Sequence, residues 1–452
     1  MIFNKQPKTN LLFSNKALVK LIIPLIIETF LGTTIGFVGT IMVASAGEAA
    51  VSAVSLVDNI NVFILGFLAA LATGGAIIIA QNLGKGDRAA AGNTAKQLLV
   101  TNLLLSLFFM TISLTGNKFL LSLIFGAIEY DVMQLAQTYF LITVISYPFT
   151  AIMSSISAIF RAMGISKTPM LVTLAMSVIN MSLCAILIYG FDMGVQGAAI
   201  AALSSRIVCT VFMILLIRNR RNAIFINELH KIRLRFSIIK DILKVGVPTG
   251  IDLSLFQLGR LLMLNLIATF GTASIAANAV VAQIFGIILI PGGAISMALI
   301  TVVGQSIGAN DNDQVIAYTK RLIRYSYIIT AFLCLMAFLF RGSLLSVFNL
   351  SLEATELGSS VLIYTIIFTA LFHPLSFSMP NALRATGDVN FTMVTSLLSM
   401  WLVRIGMSYI LEHFFQLGLM SVWIAMYSDW FVRAVVYTFR FASGKWKTKK
   451  VV

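Results

Sequence analysis

Charge is what this sequence has least of: only 11% of its 452 residues are Asp, Glu, Lys or Arg. A soluble domain carries roughly 25%, so a soluble globular fold is excluded. With 59% hydrophobic residues, the chain is an integral membrane protein. Cysteine is sparse too. Cys184, Cys209 and Cys334 all fall inside apolar runs, an odd number in places that suit reduced core thiols and not a disulfide framework or a metal site. Catalytic signatures are missing: there is no GxSxG, no HExxH, no P-loop and no Cys/His metal spacing. Each of those motifs supplies a specific nucleophile, ligand set or phosphate cradle, so an enzyme is not expected and the chain cannot hydrolyse its own ATP. An ion gradient is the remaining energy source, and no cofactor is expected. The polar start MIFNKQPKTNLLFSNK leads into a full spanning run, which is not the pattern of a cleavable signal peptide.

What is present is a series of twelve apolar runs, near 17–45, 52–81, 94–115, 135–160, 169–190, 196–217, 242–270, 275–307, 318–340, 358–383, 389–411 and 419–441. Each is long enough to cross a hydrocarbon core as a helix. The connections alternate in charge. Basic residues gather in the first tail (Lys5, Lys8, Lys16, Lys20), the second loop (Lys85, Arg88, Lys96), the fourth (Arg161, Lys167) and the sixth, which carries eight. They continue in the eighth (Lys320, Arg321, Arg324), the tenth (Arg384) and the final KWKTKK, whereas the opposite side has only Lys118 and Arg341. This positive-inside pattern places both termini in the cytoplasm. The net charge of +15 therefore anchors the chain to an anionic leaflet, and nucleic acid is not an expected partner.

The two halves repeat. A shift of 224 residues brings Pro24 onto Pro248, Glu28 onto Asp252 and Gly47 onto Gly271. Without a gap it also aligns AQNLGKGD (Ala80–Asp87) with GQSIGAND (Gly304–Asp311). A further pair, RAMG at Arg161–Gly164 and RATG at Arg384–Gly387, lies 223 apart. Six helices per repeat is an even number, so both repeats enter the membrane in the same direction and are related by an axis along its normal. The expected architecture is an all-α polytopic membrane protein with twelve transmembrane helices in two six-helix pseudo-symmetric lobes. The boundaries are a cytoplasmic tail 1–16, an N-lobe 17–217, a linker 218–241, a C-lobe 242–441 and a basic tail 442–452. Two bundles of this kind rock around a shared site, which implies a transporter.

The paired Q-x-x-G-x-x-D loops, the two RAxG loops and the C-terminal VWIAMYSDWFVRAVVYTFRFASGKW resemble the multidrug and toxic compound extrusion (MATE) family, over about residues 10 to 446. The resemblance implies a bacterial secondary antiporter that expels cationic or amphipathic compounds in exchange for protons or sodium ions. Two departures stand out. The family's first-helix acid within a V-D-T-like triplet is replaced, because the triplet here is Val38-Gly39-Thr40, and the fifth-helix N-x-x-x-D reads Asn180 to Cys184. Both acids of the usual N-lobe cation site are absent. The family's seventh-helix acid is kept, as Asp252 in IDLSLF, and His373 stands where some members place a tenth-helix acid.

Several candidates follow, each with a plainer alternative. Asp252, Glu28 and His373 are the expected cation or proton coupling residues. A charge near the bilayer centre costs about 2.5–3.5 kcal/mol on insertion scales, and a helix starting near Asp241 places Asp252 about 17 Å deep at 1.5 Å per residue. The alternative for Asp252 is pairing with Arg260, eight residues on and about 80° round the helix. For Glu28 it is a place at the cytoplasmic mouth, and for His373 a neutral, hydrogen-bonded ring. Asp58, Asn61, Arg260, Asn278, Gln283 and Asn180 are the expected substrate-cavity residues, although buried amides and carboxylates also join helices. Arg206, Arg404 and the Asp429/Arg433 pair read as helix-packing ion pairs.

The expected function is a cation-coupled antiporter of the bacterial cytoplasmic membrane, a monomer whose partners are organic cations and the lipid bilayer. One alternative is a flippase for a lipid-linked precursor, with a wider arginine-rich cavity at which Arg260 and Arg404 hint. The other is a non-transporting membrane receptor or scaffold, against which the paired deep acids of the repeat argue.

Overall fold

The computed structural model describes residues 12–126, 129–227 and 233–449. Lys5, Lys8, Lys231 and Lys450, counted above among the tail and loop charges, lie outside the described residues. Among the described residues the helices form twelve spans, with one bent pair counted as a single span. The first six are α1 Asn15–Ala44, α2 Glu48–Gly84, α3 Arg88–Thr115, α4 in two pieces (Tyr130–Val144 and Tyr147–Ala162), α5 Lys167–Gly190 and α6 Gly194–Ile217. The second six are α7 Phe236–Ala268, α8 Thr272–Gly308, α9 Asn312–Leu339, α10 Leu352–Ala385, α11 Val389–Phe415 and α12 Leu419–Ala442. Eleven are each long and apolar enough to cross a membrane, and the two α4 pieces, bent by 47°, make the twelfth. No strand occurs among the described residues.

Local sequence explains the irregularities. The break in α4 falls just before Pro148, whose missing N–H and bulky ring disrupt the preceding turn. In α10, Pro374 opens a wide π-helical turn, Pro374–Ser378, and α11 carries another, Ser399–Gly406; such turns recur at functional positions. By contrast α1 and α7 run unbroken through Pro24 and Pro248. Helix α7 starts at Phe236, inside the expected linker, because Ile238, Ile239 and Ile242 continue its apolar pattern outward.

The Q-x-x-G-x-x-D loops are helix caps. Asp87 accepts a hydrogen bond from Ala90 N at 2.8 Å and Asp311 from Gln314 N at 2.9 Å, each satisfying an orphan donor at the start of α3 or α9. The RAxG glycines close the helices before them. Gly164 and Gly387 have φ +79° and +99°, in the region that L side chains avoid. Two short helices, Asn117–Phe125 and Arg341–Ser346, also begin 224 residues apart.

The chain divides into two compact units, Ile23–Gly250 and a second made of Met1–Ile22 with Ile251–Val452. Both divisions fall inside a helix, two residues from Pro24 in α1 and two from Pro248 in α7. The second unit thus takes up the opening of α1. There Leu12 N donates to Gln314 Oε1 (3.0 Å), Phe13 N to Tyr318 OH (2.7 Å) and Arg321 Nη1 to Asn15 Oδ1 (2.8 Å). The first unit takes up the opening of α7 in the same way: Gln97 Nε2 donates to Arg233 O (2.8 Å) and Arg235 N to Gln97 Oε1 (3.0 Å). In that unit α7 crosses α2 at close range, since a Cβ on Gly74 would sit 2.7 Å from the Gly246 backbone.

Candidate functional site

Four carboxylates lie well inside the spans: Glu28, Asp58, Asp252 and Asp429. Three are ion-paired. Glu28 on α1 pairs with Arg161 at the end of α4 (2.8 Å), and its repeat mate Asp252 on α7 pairs with Arg384 at the end of α10. Arg384, not Arg260, is therefore the cation on Asp252. Both arginines belong to the RAxG motifs, so the repeat has conserved a whole contact: first-helix acid, fourth-helix arginine, and a glycine that ends the helix after it. Each pair also leaves one buried carboxylate oxygen without a partner, Glu28 Oε2 and Asp252 Oδ1. Two of the charges read from the sequence as loop charges are thus spent on intramembrane acids. Asp252 thus meets α10 at its end, at the arginine three residues before the closing glycine.

Asp429 is fully buried on α12 and collects three donors. Arg404 Nε reaches its Oδ2 at 3.0 Å, Arg433 Nε its Oδ1 at 2.7 Å, and the Ser399 hydroxyl also donates to Oδ1. Arg404 and Arg433 both lie over the Phe256 ring, each 5.2 Å from its centroid. This is the packing role expected for these residues: the acid offsets two arginines, and the ring covers them.

Asp58 is different. Its Oδ1 accepts only neutral donors, Asn61 Nδ2 at 3.2 Å and Tyr139 OH at 3.3 Å, while Asn61 Oδ1 accepts from Tyr147 OH at 2.8 Å. It lines a cavity of about 140 Å³ in the first unit, with Asn180, Ser205, Arg206 and Tyr139. Gly39 and Cys184 line the same cavity. The two positions where the family acids are missing are therefore brought together around an acid supplied from α2. Arg206 faces this space, but its Nη1 is engaged with Ser146 Oγ and it makes no ion pair with Asp58. Asn180 Nδ2 reaches Ser205 Oγ at 3.5 Å.

The second unit holds a cavity of about 300 Å³ between α7, α8, α10, α11 and α12. Arg260 and Asn278 line it as expected, with Asn278 Oδ1 accepting from Trp423 Nε1 at 3.2 Å. The remaining wall is aromatic, chiefly Phe256, Phe285, Phe377 and Trp430, and Arg404 adds a second guanidinium. No carboxylate lines this space. Gln283 is exposed and outside the lining. His373 is buried one layer back, stacked on Phe377 (centroids 4.4 Å apart) and edge-on to Phe285 and Trp430. Its Nδ1 has no partner.

The acid–arginine pairs were within reach of the sequence. Two motif positions that repeat at offsets of 224 and 223 are candidates to touch each other, although hydropathy alone files the arginines under loops. Asp58 as the acid beside Gly39 and Cys184 carried no such signal, because it has no repeat mate: position 282 is Ala.

Comparison with known proteins agrees with this layout. The MatE family profile matches twice, over residues 24–186 and 248–410, again a displacement of 224. The probable multidrug resistance protein NorM of Thermotoga maritima is 28% identical over 99% of this chain and 97% of its own length. The probable multidrug resistance protein YoeA of Bacillus subtilis is 25% identical over 95% and 94%. Two solved structures share the fold at 23% identity. One is an outward-facing multidrug resistance MATE family transporter of the MOP superfamily, with TM-score 0.88 over 95% of this chain and 96% of that one. The other is a MOP superfamily transporter from Pyrococcus furiosus, with TM-score 0.89 over 96% and 97%. With both halves matched by one profile, this multi-pass membrane protein belongs to the MatE family of transporters.

Proposed function

We propose that the protein is an ion-coupled efflux antiporter for amphipathic small molecules, and that Asp58 is the acid that exchanges a proton or sodium ion during the cycle. One observation carries the assignment: of the four carboxylates well inside the spans, Asp58 alone makes no ion pair, because Arg206, in the same cavity lining, bonds to Ser146 instead. An acid that already binds an arginine must give up that guanidinium before its carboxylate can take an ion. An acid held only by an amide and a phenol has capacity to spare. Glu28 and Asp252 fasten the first helix of each half to an RAxG turn in this scheme. His373 closes the aromatic wall behind the second cavity.

Coupling needs no further chemistry. If the ion at Asp58 and the substrate favour opposite states of one inward/outward equilibrium, each flux drives the other. Moving one charge is worth about 2.3 kcal/mol per 100 mV of membrane potential. The Thermotoga and Bacillus relatives are named probable multidrug resistance proteins, and drug export is the role this reading gives the chain. The basic residues at the turns and C-terminal tail support cytoplasmic termini.

The test is ethidium counterflow in proteoliposomes under a proton or a sodium gradient, with wild type beside Asp58→Asn. The expected result is uptake driven by one gradient, abolished in the variant while dye binding persists. Unchanged coupled uptake in Asp58→Asn removes the assignment, and no dye movement in the wild type removes drug antiport itself.

A second reading rests on the second cavity. Arg260 has no acid partner among the described residues and stands in an aromatic-walled space. That favours an amphiphile with a negative head, as a flippase substrate has. Competition of an anionic dye against ethidium separates the two readings.

A further inference from the structure

We propose that a second, separate cavity in the C-terminal half binds the phosphate group of an anionic membrane lipid. The space, about 460 Å³, lies between α9, the π-helical turn of α10 and the end of α12 with the short turn Lys445–Thr448 that follows. Its wall is apolar, with Ile323, Leu375 and Met379 facing inward, and its edge carries Lys320, Arg324 and Lys447. No carboxylate lines it. Arg324 makes no ion pair among the described residues, and Lys447 lies over the Trp446 ring at 5.8 Å. A cationic edge over an apolar wall matches a phosphate attached to acyl chains. It does not match a free inorganic ion, which has no use for the wall.

Two buried hydroxyls point to the same ligand. Thr319 and Thr438 line the cavity, and the Oγ1 of each is buried without a hydrogen-bond partner. Many threonines elsewhere in the protein return the hydroxyl to the carbonyl four residues back, as Thr111 in α3, Thr138 in α4 and Thr365 in α10 do. An orphaned buried hydroxyl is costly; two opening on one cationic space form a donor set for phosphate oxygens. The aromatic frame is already engaged: Tyr327 OH donates to Leu371 O (2.9 Å) and Trp446 Nε1 to Phe441 O (2.9 Å). Basic pockets between membrane helices are suited to lipid head groups.

The experiment is native mass spectrometry of the full chain released from nanodiscs containing equal phosphatidylglycerol and phosphatidylcholine. Wild type is expected to retain phosphatidylglycerol selectively. Arg324→Gln/Lys447→Gln, both at exposed side chains, is expected to lower that selectivity by roughly thirtyfold, at about fivefold per cation. Thr319→Val/Thr438→Val tests the hydroxyls without changing charge and is expected to lower it as well. Arg88→Gln, which does not line the cavity, is expected to leave it unchanged. Wild-type selectivity in the double-charge variant, or an equal loss in Arg88→Gln, overturns the proposal. Displacement of the lipid by millimolar sodium phosphate or glycerol 3-phosphate overturns the lipid assignment in favour of a soluble phosphate.

Discussion

Asp252 distinguishes a structural ion pair from a coupling acid, and a thermodynamic cycle with Arg384 decides between them. The two side chains are 5% and 11% exposed, so solvent does little to screen the pair. Removing one partner strands the other charge, at a cost of about 3–5 kcal/mol for a buried pair. Arg384 has two further acceptors, Asn381 Oδ1 at 3.3 Å and Thr392 Oγ1 at 3.4 Å, which places Asp252→Asn toward the lower end, near 3 kcal/mol. Arg384→Gln strands Asp252, whose Oδ1 is already unpartnered, and is expected to cost at least as much. The double variant leaves no orphan charge, so its loss is expected near that of one single variant, a coupling energy of about 2–3 kcal/mol. The assay is denaturation in mixed SDS micelles, run beside ethidium counterflow. If the single losses add to within about 0.5 kcal/mol, the pair is not what holds Asp252. If Asp252→Asn keeps full stability but loses gradient-driven transport, the residue is a coupling acid and the assignment to Asp58 falls. The repeat offers an internal control: Glu28 and Arg161 are 15% and 18% exposed, so the same cycle there is expected to give a smaller coupling.

Other outcomes follow from the same geometry. Gly246→Val is expected to destabilise the protein by several kcal/mol, because a Cβ there would lie 2.5 Å from Leu71 Cδ1 and 2.9 Å from Leu71 Cα; thermal melting of the purified protein checks it. Asp429→Asn strands Arg404 and Arg433 together and is expected to reduce folded yield in the membrane more than Asp58→Asn does, as read by quantitative blotting. Gly387→Ala forces a side chain onto φ +99° and is expected to cost about 1–2 kcal/mol, with Gly164→Ala at the matching turn behaving alike. Arg260→Gln is expected to weaken anionic dye binding and leave ethidium binding intact, measured by fluorescence titration.

The twelve spans were legible because apolar length is the strongest signal a membrane sequence carries, and all twelve emerge in order. The repeat was legible because identical motifs recur at one spacing. Helix ends were less so: α2 and α8 each have 37 residues, beyond the expected 52–81 and 275–307, since polar turns of helix outside the bilayer leave no hydropathy trace. Tertiary pairing was the main blind spot. Asp252 was weighed against Arg260, its neighbour on one helix, while the partner stands 132 residues away at Arg384. Cavity membership was mixed for the same reason. Asn278, Arg260, Asp58 and Asn180 line cavities, but Asn61 stands behind Asp58 outside the lining, and Gln283, on the same helix as Asn278, turns to the exposed face.

The exchange of helix openings between the compact units bears on how such a chain could have arisen and how it can be cut. A duplicated six-helix unit normally suggests a half-protein that once folded alone. Here each compact body borrows the start of its first helix's repeat mate, clamped by Gln314, Tyr318 and Arg321 in one and by Gln97 in the other. A gene severed in the sixth loop would therefore yield two fragments that each lack a piece of their own body and carry a piece of the other's. Such fragments should be unstable apart and complementary when co-expressed.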